Sequence, residues 1–381
     1  MNHVVGHNQL TLLRSGAAYF PQLIADIELA EHAVYLESYI FAADQTGHQI
    51  HHALVRAAAR GVMVQVLLDG FGSANFPARW QAELTAAGAH FQWYRRERFR
   101  FKLRRHRLRR LHRKLVAIDH DIAFIGGINI LDDQSHPHSA PRFDYAVRIQ
   151  GAMANEIRTT MRQLWQRVAW IKRGNELLWQ QCKPHLPSLT VPISLLLRDN
   201  VRHRRDIERA YLHAITHAQH EIILANAYFL PGRAFRRALK QAAKRGVRVV
   251  LLLQGKVEYP VQHYATHALY DQLLSAGIEI YEYQRSYLHA KVAVIDENWT
   301  TIGSSNIDPF SLLLAREANI VIQHADFASE LRDSLLHATQ YATRIQAKDW
   351  QQANWAARLL SWCSYSAIRT LVGIVGYKRF N

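Results

Sequence analysis

The chain has 381 residues and carries 47 Lys and Arg against 31 Asp and Glu, a formal net charge of +16. With only two cysteines, Cys182 and Cys363, it has no disulfide framework, and a reducing compartment suits it. The positive excess points to an anionic partner, either nucleic acid or a membrane surface.

The opening MNHVVGHNQLTLL has no charged start followed by a long apolar core, so no signal peptide is expected. Tyr19, Leu23, Ile27 and Ala30 recur at helical spacing. YLESYIF (35–41) follows, and then RAAARGVMVQVLLDG (56–70), a helix that ends at Gly61 and leads into a continuous apolar strand of the kind buried on both faces. This is βαβ organisation. The stretch RRERFRFKLRRHRLRRLHRK (95–114) holds twelve Lys or Arg against the single Glu97.

That basic run leads directly into HRKLVAIDH (112–120), which reads as a short strand entering a turn, and AFIGGIN reads as the returning strand. His112 and Lys114 stand at i and i+2, so they project from one strand face, and an imidazole beside an ammonium suits an anion. Residues 152–180 read as a helix with Trp165, Trp170 and Trp179 among charges, stopped by Pro184, Pro187 and Pro192.

The pattern then repeats. Ile207, Tyr211, Ile215 and Ala218 have helical spacing; ILANAYFLP (223–231) and KQAAKRGVRVVLLLQG (240–255) match the earlier strand and helix–strand, with Gly246 in place of Gly61. HAKVAVIDE (289–297) repeats the His-x-Lys-x4-Asp spacing in His289, Lys291 and Asp296, as His112, Lys114 and Asp119 have it. Gly126 and Asn129 lie 14 and 17 residues after His112, and Gly303 and Asn306 lie 14 and 17 after His289. Two copies with matching offsets mark an internal duplication. The glycine at Ala87-Gly88 precedes His112 by 24 residues, whereas that at Ala276-Gly277 precedes His289 by 12, so the basic run is an insertion in one copy.

The fold expected is α/β, with two similar lobes spanning 1–151 and 189–345, a helical linker over 152–188 and a tail over 346–381. The tail segment WAARLLSWCSYSAIRTLVGIVGYKRF is apolar and aromatic but interrupted by Arg358 and Arg369, so it offers no unbroken span of about 20 apolar residues. It reads as an interfacial amphipathic helix, with packing on the enzyme's own body as the alternative.

Paired His-x-Lys-x4-Asp motifs, each followed by a Gly-rich strand and Asn, resemble the phospholipase D superfamily over nearly the whole chain up to about residue 345. LESYIF, LLDGFGS, ANAYFLPG and GSSNIDP are similar to stretches of its bacterial cardiolipin synthases. The resemblance implies two phospholipase D-like lobes with the active site at their interface. It also implies a carboxylate from a later strand that fixes each histidine's tautomer. By position these are Asp144, 32 residues after His112, and Glu317, 28 after His289.

The chemistry follows from residue types. One neutral imidazole can attack phosphorus, while the other, protonated, serves the leaving oxygen and then takes a proton from the incoming alcohol. Lys114, Lys291, Asn129 and Asn306 would hold the phosphoryl oxygens. Asp119 and Asp296, counted with the catalytic motif, sit at strand ends where a structural role suits them. No metal or cofactor is expected: a metal site would need lysine on its ligand face, and no H-x-x-E or C-x-x-C spacing is present. His106, His136 and His138 are read as ordinary core or surface residues.

Arg95, Arg96, Arg98, Arg100, Lys102, Arg104, Arg105, Arg107, Arg109 and Arg110, interleaved with Phe99, Phe101, Leu103, Leu108 and Leu111, are expected to dock an anionic surface. With the tail, they favour a bacterial membrane over nucleic acid, and a peripheral protein on the cytoplasmic side of the inner membrane. The resemblance implies transfer of a phosphatidyl group from one phosphatidylglycerol to another, with His112 as the nucleophile. Hydrolytic phospholipase D activity, a nuclease, and a catalytically silent membrane-binding protein are the alternatives. Replacing four arginines between 95 and 110 with glutamine is expected to weaken binding to anionic vesicles at low salt, by about 1 kcal/mol per charge, with the difference screened away at high salt. Vesicle sedimentation measures it; unchanged low-salt binding would leave a merely solvated face.

Overall fold

The computed structural model describes residues 1–96, 109–134, 140–172, 192–351 and 355–376. The first half runs β1 (Asn2–Val5), β2 (Asn8–Arg14), α1 (Ser15–Glu28), β3 (Ala33–Ser38), α2 (Gln45–Ala59), β4 (Met63–Asp69), α3 (Ala78–Ala86), β5 (His90–Tyr94), β6 (Leu115–Ile118), β7 (Ile122–Gly126), β8 (Tyr145–Gly151) and α4 (Ala152–Lys172). The second runs β9 (Ile193–Arg198), α5 (Asp206–His217), β10 (Glu221–Asn226), α6 (Arg233–Lys244), β11 (Arg248–Gln254), α7 (Pro260–His267), α8 (Tyr270–Leu274), β12 (Glu279–Tyr283), β13 (Lys291–Ile295), β14 (Trp299–Gly303), α9 (Pro309–Leu313), β15 (Glu317–Gln323), α10 (Ala325–Thr339), β16 (Ala342–Ile345), α11 (Ala347–Gln351) and α12 (Trp355–Gly376).

Each half builds a mixed sheet with the same strand order. One reads β2-β8-β7-β6-β3-β4-β5 and the other β9-β15-β14-β13-β10-β11-β12, with β1 added beside β2 and β16 beside β12. The three strands β3–β4–β5, like β10–β11–β12, are parallel, and the motif hairpins pair antiparallel with β3 and β10.

The two sheets face each other across one core. On β6, Leu115 and Ala117 point into that shared core while Val116 and Ile118 point outward under α1, α2 and α3; on β13, Val292 and Val294 point in while Ala293 and Ile295 point out. Burial on both faces explains the unbroken apolar runs. The helix expected within the 152–188 linker is present from Ala152 to Lys172, and it sends Met153, Ala154, Ile157 and Met161 into the shared core. Residues 173–191, with Trp179, Cys182, Pro184 and Pro187, lie outside the described part.

Asp119 and Asp296 are corrected from the catalytic set. Each begins its hairpin turn with positive φ, 50° and 51°, a conformation aspartate tolerates better than most side chains. The Asp119 carboxylate accepts from the backbone N–H groups of Glu31, His32 and Ala33, and Asp296 accepts from those of Gln219, His220 and Glu221. They fasten the turn to the start of β3 and β10, five residues beyond the lysines, or about 16 Å along an extended strand. Their place in the motif is structural.

Helix α12 packs against α7, burying Ser361, Ser364, Tyr365 and Ile368 on the outer face of the second sheet. Its other side shows Leu359, Leu360, Trp362 and Leu371 to solvent. No described helix is long and apolar enough to cross a membrane.

The duplication is broken at one buried pair. Arg113 donates to Glu37 at 2.9 and 3.0 Å, both side chains being nearly inaccessible, where the second lobe has Ala290 and Ala225. Removing one member strands a buried charge, at a cost of about 3–5 kcal/mol. Glu37→Ala or Arg113→Ala alone is expected to destabilise by that amount, and the double variant, which copies the second lobe's alanines, to recover at least half. Denaturant unfolding of the three variants tests this.

Candidate active site

The site forms where the two halves exchange short lengths of backbone. Leu111 bridges Arg316: the N–H of Arg316 donates to the carbonyl of Arg110 at 2.7 Å, and that of His112 to the carbonyl of Arg316 at 2.9 Å. Phe143 bridges Leu288 in the same way, with Phe143 N–H on Tyr287 and His289 N–H on Phe143 at 2.9 and 2.8 Å. Each histidine is thereby tied to the residue preceding the other lobe's carboxylate.

The side chains follow the backbone. His112 Nδ1 lies 3.0 Å from both Glu317 oxygens, and His289 Nδ1 lies 2.6 Å from Asp144 Oδ2. The counting that placed Asp144 after His112 and Glu317 after His289 identifies the right carboxylates, but the structure swaps their partners across the lobes. Ser304 Oγ donates to Glu317 at 2.6 Å. Gly127 takes the equivalent place beside Asp144, where a Cβ would collide with that carboxylate. With Nδ1 engaged, each Nε2 is left for chemistry.

Lys114 Nζ donates to the His112 carbonyl at 2.7 Å and lies 5.3 Å from the centre of the Tyr39 ring. Lys291 Nζ donates to the His289 carbonyl and stands 2.8 Å from His289 Nδ1. Nδ1 cannot both accept from that ammonium and donate to Asp144. The carboxylate, as the short-range negative partner, takes the Nδ1 proton.

Burial dominates the electrostatics. It lowers Lys114 to about 7, against the pull of Glu317, and Lys291 to about 8, against that of Asp144. His112 is lowered by burial, with Glu317 opposing the shift. His289 is driven well below its ordinary value by burial and by Lys291 and Lys114, and burial raises Asp144 to about 6. Burial and the two lysines thus favour neutral imidazoles, and a phosphodiester anion restores positive charge.

Asn129 and Asn306 are both buried. Asn129 Oδ1 accepts from the Ile40 N–H at 3.2 Å, while Asn306 Oδ1 has no partner among the described residues. Tyr39, not singled out in the sequence, stacks edge-on against His112 with ring centroids 4.8 Å apart. Asp69 and Gln254 were also missed: Asp69 accepts from the Leu111 N–H and Gln254 from the Leu288 N–H, both at 2.8 Å. Their recurrence at the end of the paired LLDG and LLQG strands was the available signal. Of the basic run, Arg95, Arg96, Arg109 and Arg110 are described, and Arg110 lies over Phe71 at 4.9 Å. Arg98, Arg100, Lys102, Arg104, Arg105 and Arg107 lie outside the described residues, as do His106, His136 and His138.

Two sheets of one order with a histidine–lysine pair from each at their junction define a duplicated enzyme of the phospholipase D type. The family described as cardiolipin synthase, PLD-like domain, matches residues 23–165 and 211–338, and the chain belongs to it. Cardiolipin synthase B of Shigella flexneri is 40% identical over 339 residues, covering 86% of this chain and 79% of that protein; its Escherichia coli K12 counterpart is 39% identical over the same shares. The crystal structure of phosphatidylserine synthase from Haemophilus influenzae superposes with a TM-score of 0.67 at 14% identity, over 96% of this chain and 94% of that one, a likeness of fold.

The lowered lysines set an expected pH profile. As pH rises through about 7 and about 8, Lys114 and Lys291 lose their charge in the free enzyme, so kcat/KM should fall over that window. A bound anion favours the ammonium form, so kcat should hold to higher pH. An alkaline limb no lower than an ordinary lysine, about 10.4, would contradict this reading.

Proposed function

We propose that this chain is a cardiolipin synthase that moves a phosphatidyl group from one phosphatidylglycerol to another and releases glycerol. The observation that carries the reading is the pair of imidazoles, each with Nδ1 held by a carboxylate of the opposite lobe and each beside a buried lysine. The relatives' names supply the substrate class.

His112 Nε2 attacks phosphorus, the bond to the glycerol oxygen breaks, and His289 gives that oxygen a proton. A hydroxyl of the second phosphatidylglycerol then attacks the phosphohistidine as His289 takes its proton back. The acid–base role falls to His289 by family resemblance, with Asp144 bonded to its Nδ1 at 2.6 Å to steady an imidazolium against the burial and the two lysines that lower it. Lys114 and Lys291, with the carboxamides of Asn129 and Asn306, stabilise the charge that builds on the non-bridging oxygens.

The protein works as a peripheral enzyme on the anionic cytoplasmic face of a bacterial inner membrane. The net charge of +16 and the outward apolar side chains of α12 support this placement.

Purified protein incubated with phosphatidylglycerol vesicles should yield cardiolipin and glycerol; phosphatidic acid alone would make it a hydrolytic phospholipase D. With a lipid bearing an activated leaving group, His289→Ala should trap a phosphatidyl adduct on His112, and His112→Ala should trap none. Mass spectrometry after digestion under conditions gentle to phosphohistidine reads the result, and an adduct on His289 would reverse the roles.

A further inference from the structure

A small pocket opens at the carboxyl ends of β10 and β11, roofed by α7. Asn226 pairs with Lys291 and the Ala227 N–H donates to the carbonyl of Ala290; the chain then bends at Tyr228, which lines the pocket two residues beyond the ladder. Gln254 lines the pocket and is more than nine-tenths buried. Its Oε1 accepts from the residue before His289, and its Nε2 has no partner among the described residues. Glu258, on the far wall, accepts from Tyr228 OH at 2.8 Å and from Arg142 at 3.3 Å. Burial, with His267 beside it, lowers His263 to about 4, so that the roof presents a neutral imidazole.

This is a mixed set of donors and acceptors. Glu258 repels a phosphate, and Arg142 already offsets its charge. An ammonium headgroup brings donors only and would leave the Gln254 amide N–H groups unmatched, whereas hydroxyls donate and accept. Around Glu258, Val257 and Tyr259 of the loop and Val261 of α7 are each about half exposed, and Tyr259 also lines the pocket. A polar pocket under an apolar rim fits the headgroup of a lipid whose chains stay in the bilayer.

We infer that this pocket is the leaving-group and acceptor subsite, which binds the hydroxylated, glycerol-type headgroup of a lipid and presents its terminal hydroxyl to His289. The inference rests on the phosphatidyl-transfer reading. Glycerol departing from the donor vacates the same pocket that the second headgroup then enters. In that second step the bond between phosphorus and His112 Nε2 breaks, its electron pair returning to the imidazole; the acceptor oxygen bonds to phosphorus, and its proton passes to His289 Nε2. Glu258 and Tyr228 act here as specificity residues: by holding the alcohol, they let it outcompete water.

The test uses the full chain with a phosphatidyl donor carrying a p-nitrophenyl leaving group, and either phosphatidylglycerol vesicles or free glycerol as the acceptor. The readout is the ratio of alcohol product to phosphatidic acid, which does not depend on how much enzyme is folded, and His289 activates water and alcohol alike. Glu258→Gln and Tyr228→Phe should each lower that ratio about tenfold, or about 1.4 kcal/mol of acceptor discrimination. Wild-type ratios in both variants would overturn the subsite while leaving phosphatidyl transfer intact. Phosphatidic acid as the only product of the wild-type enzyme would overturn the transfer reading and the subsite with it. Vesicle-borne phosphatidylglycerol should match free glycerol at a hundredfold lower bulk concentration, and equal potency would overturn the lipid-borne headgroup in favour of a free polyol.

Discussion

The exchange of carboxylates between the two lobes is the constraint on which the site depends. Neither half carries a complete catalytic unit: His112 needs Glu317 to hold its Nδ1, and His289 needs Asp144. The exchange is prepared in the backbone, because each histidine N–H is bonded to the residue just before the other lobe's carboxylate. Movement of one sheet against the other would break two tautomer-fixing bonds together. The shared core, with α4 and α10 packed into it and Tyr145 OH bonded to Ser334 across the lobes at 2.7 Å, resists that movement.

Burying two lysines at the lobe junction has an electrostatic consequence. A buried ammonium is costly unless negative charge is near, and the carboxylates that orient the histidines supply that charge. The same four groups therefore hold the site together and keep it receptive to an anion. With burial lowering both lysines and both histidines, a phosphodiester entering the site is itself the missing counter-charge. Substrate binding and activation of the acid are in this way one electrostatic event.

Duplication gives two histidines of similar competence, and the differences between the lobes separate them. Glu37 and Arg113 stiffen the first motif strand where the second has alanines; Ser304 clamps Glu317 where Gly127 leaves room for Asp144. His289 feels the charges of Glu258 and Arg142, with Tyr228 bonded to Glu258, while His112 faces Tyr39. Each ring has a carboxylate on Nδ1, so the two surroundings differ in their further neighbours and not in that support.

The sequence by itself determined the duplication, the α/β class and the histidine–lysine pairs, which are local properties: strand period, apolar runs and spacing within a repeat survive in one dimension. Both supporting carboxylates came from the family resemblance. It also hinted that Asp119 and Asp296 were structural, since both sit at a turn, though only their bonds to the backbone at residues 31–33 and 219–221 removed them from the chemistry. Which carboxylate serves which histidine was not legible, because sequence distance favours a partner 28 or 32 residues away over one across the lobe interface. The Glu258 pocket was equally hidden, since Arg142, Tyr228, Gln254 and Glu258 share no motif and meet only where β10, β11 and the β8 approach converge. Packing two sheets face to face decides contacts between residues far apart in the chain, and that packing was set by the tertiary structure alone.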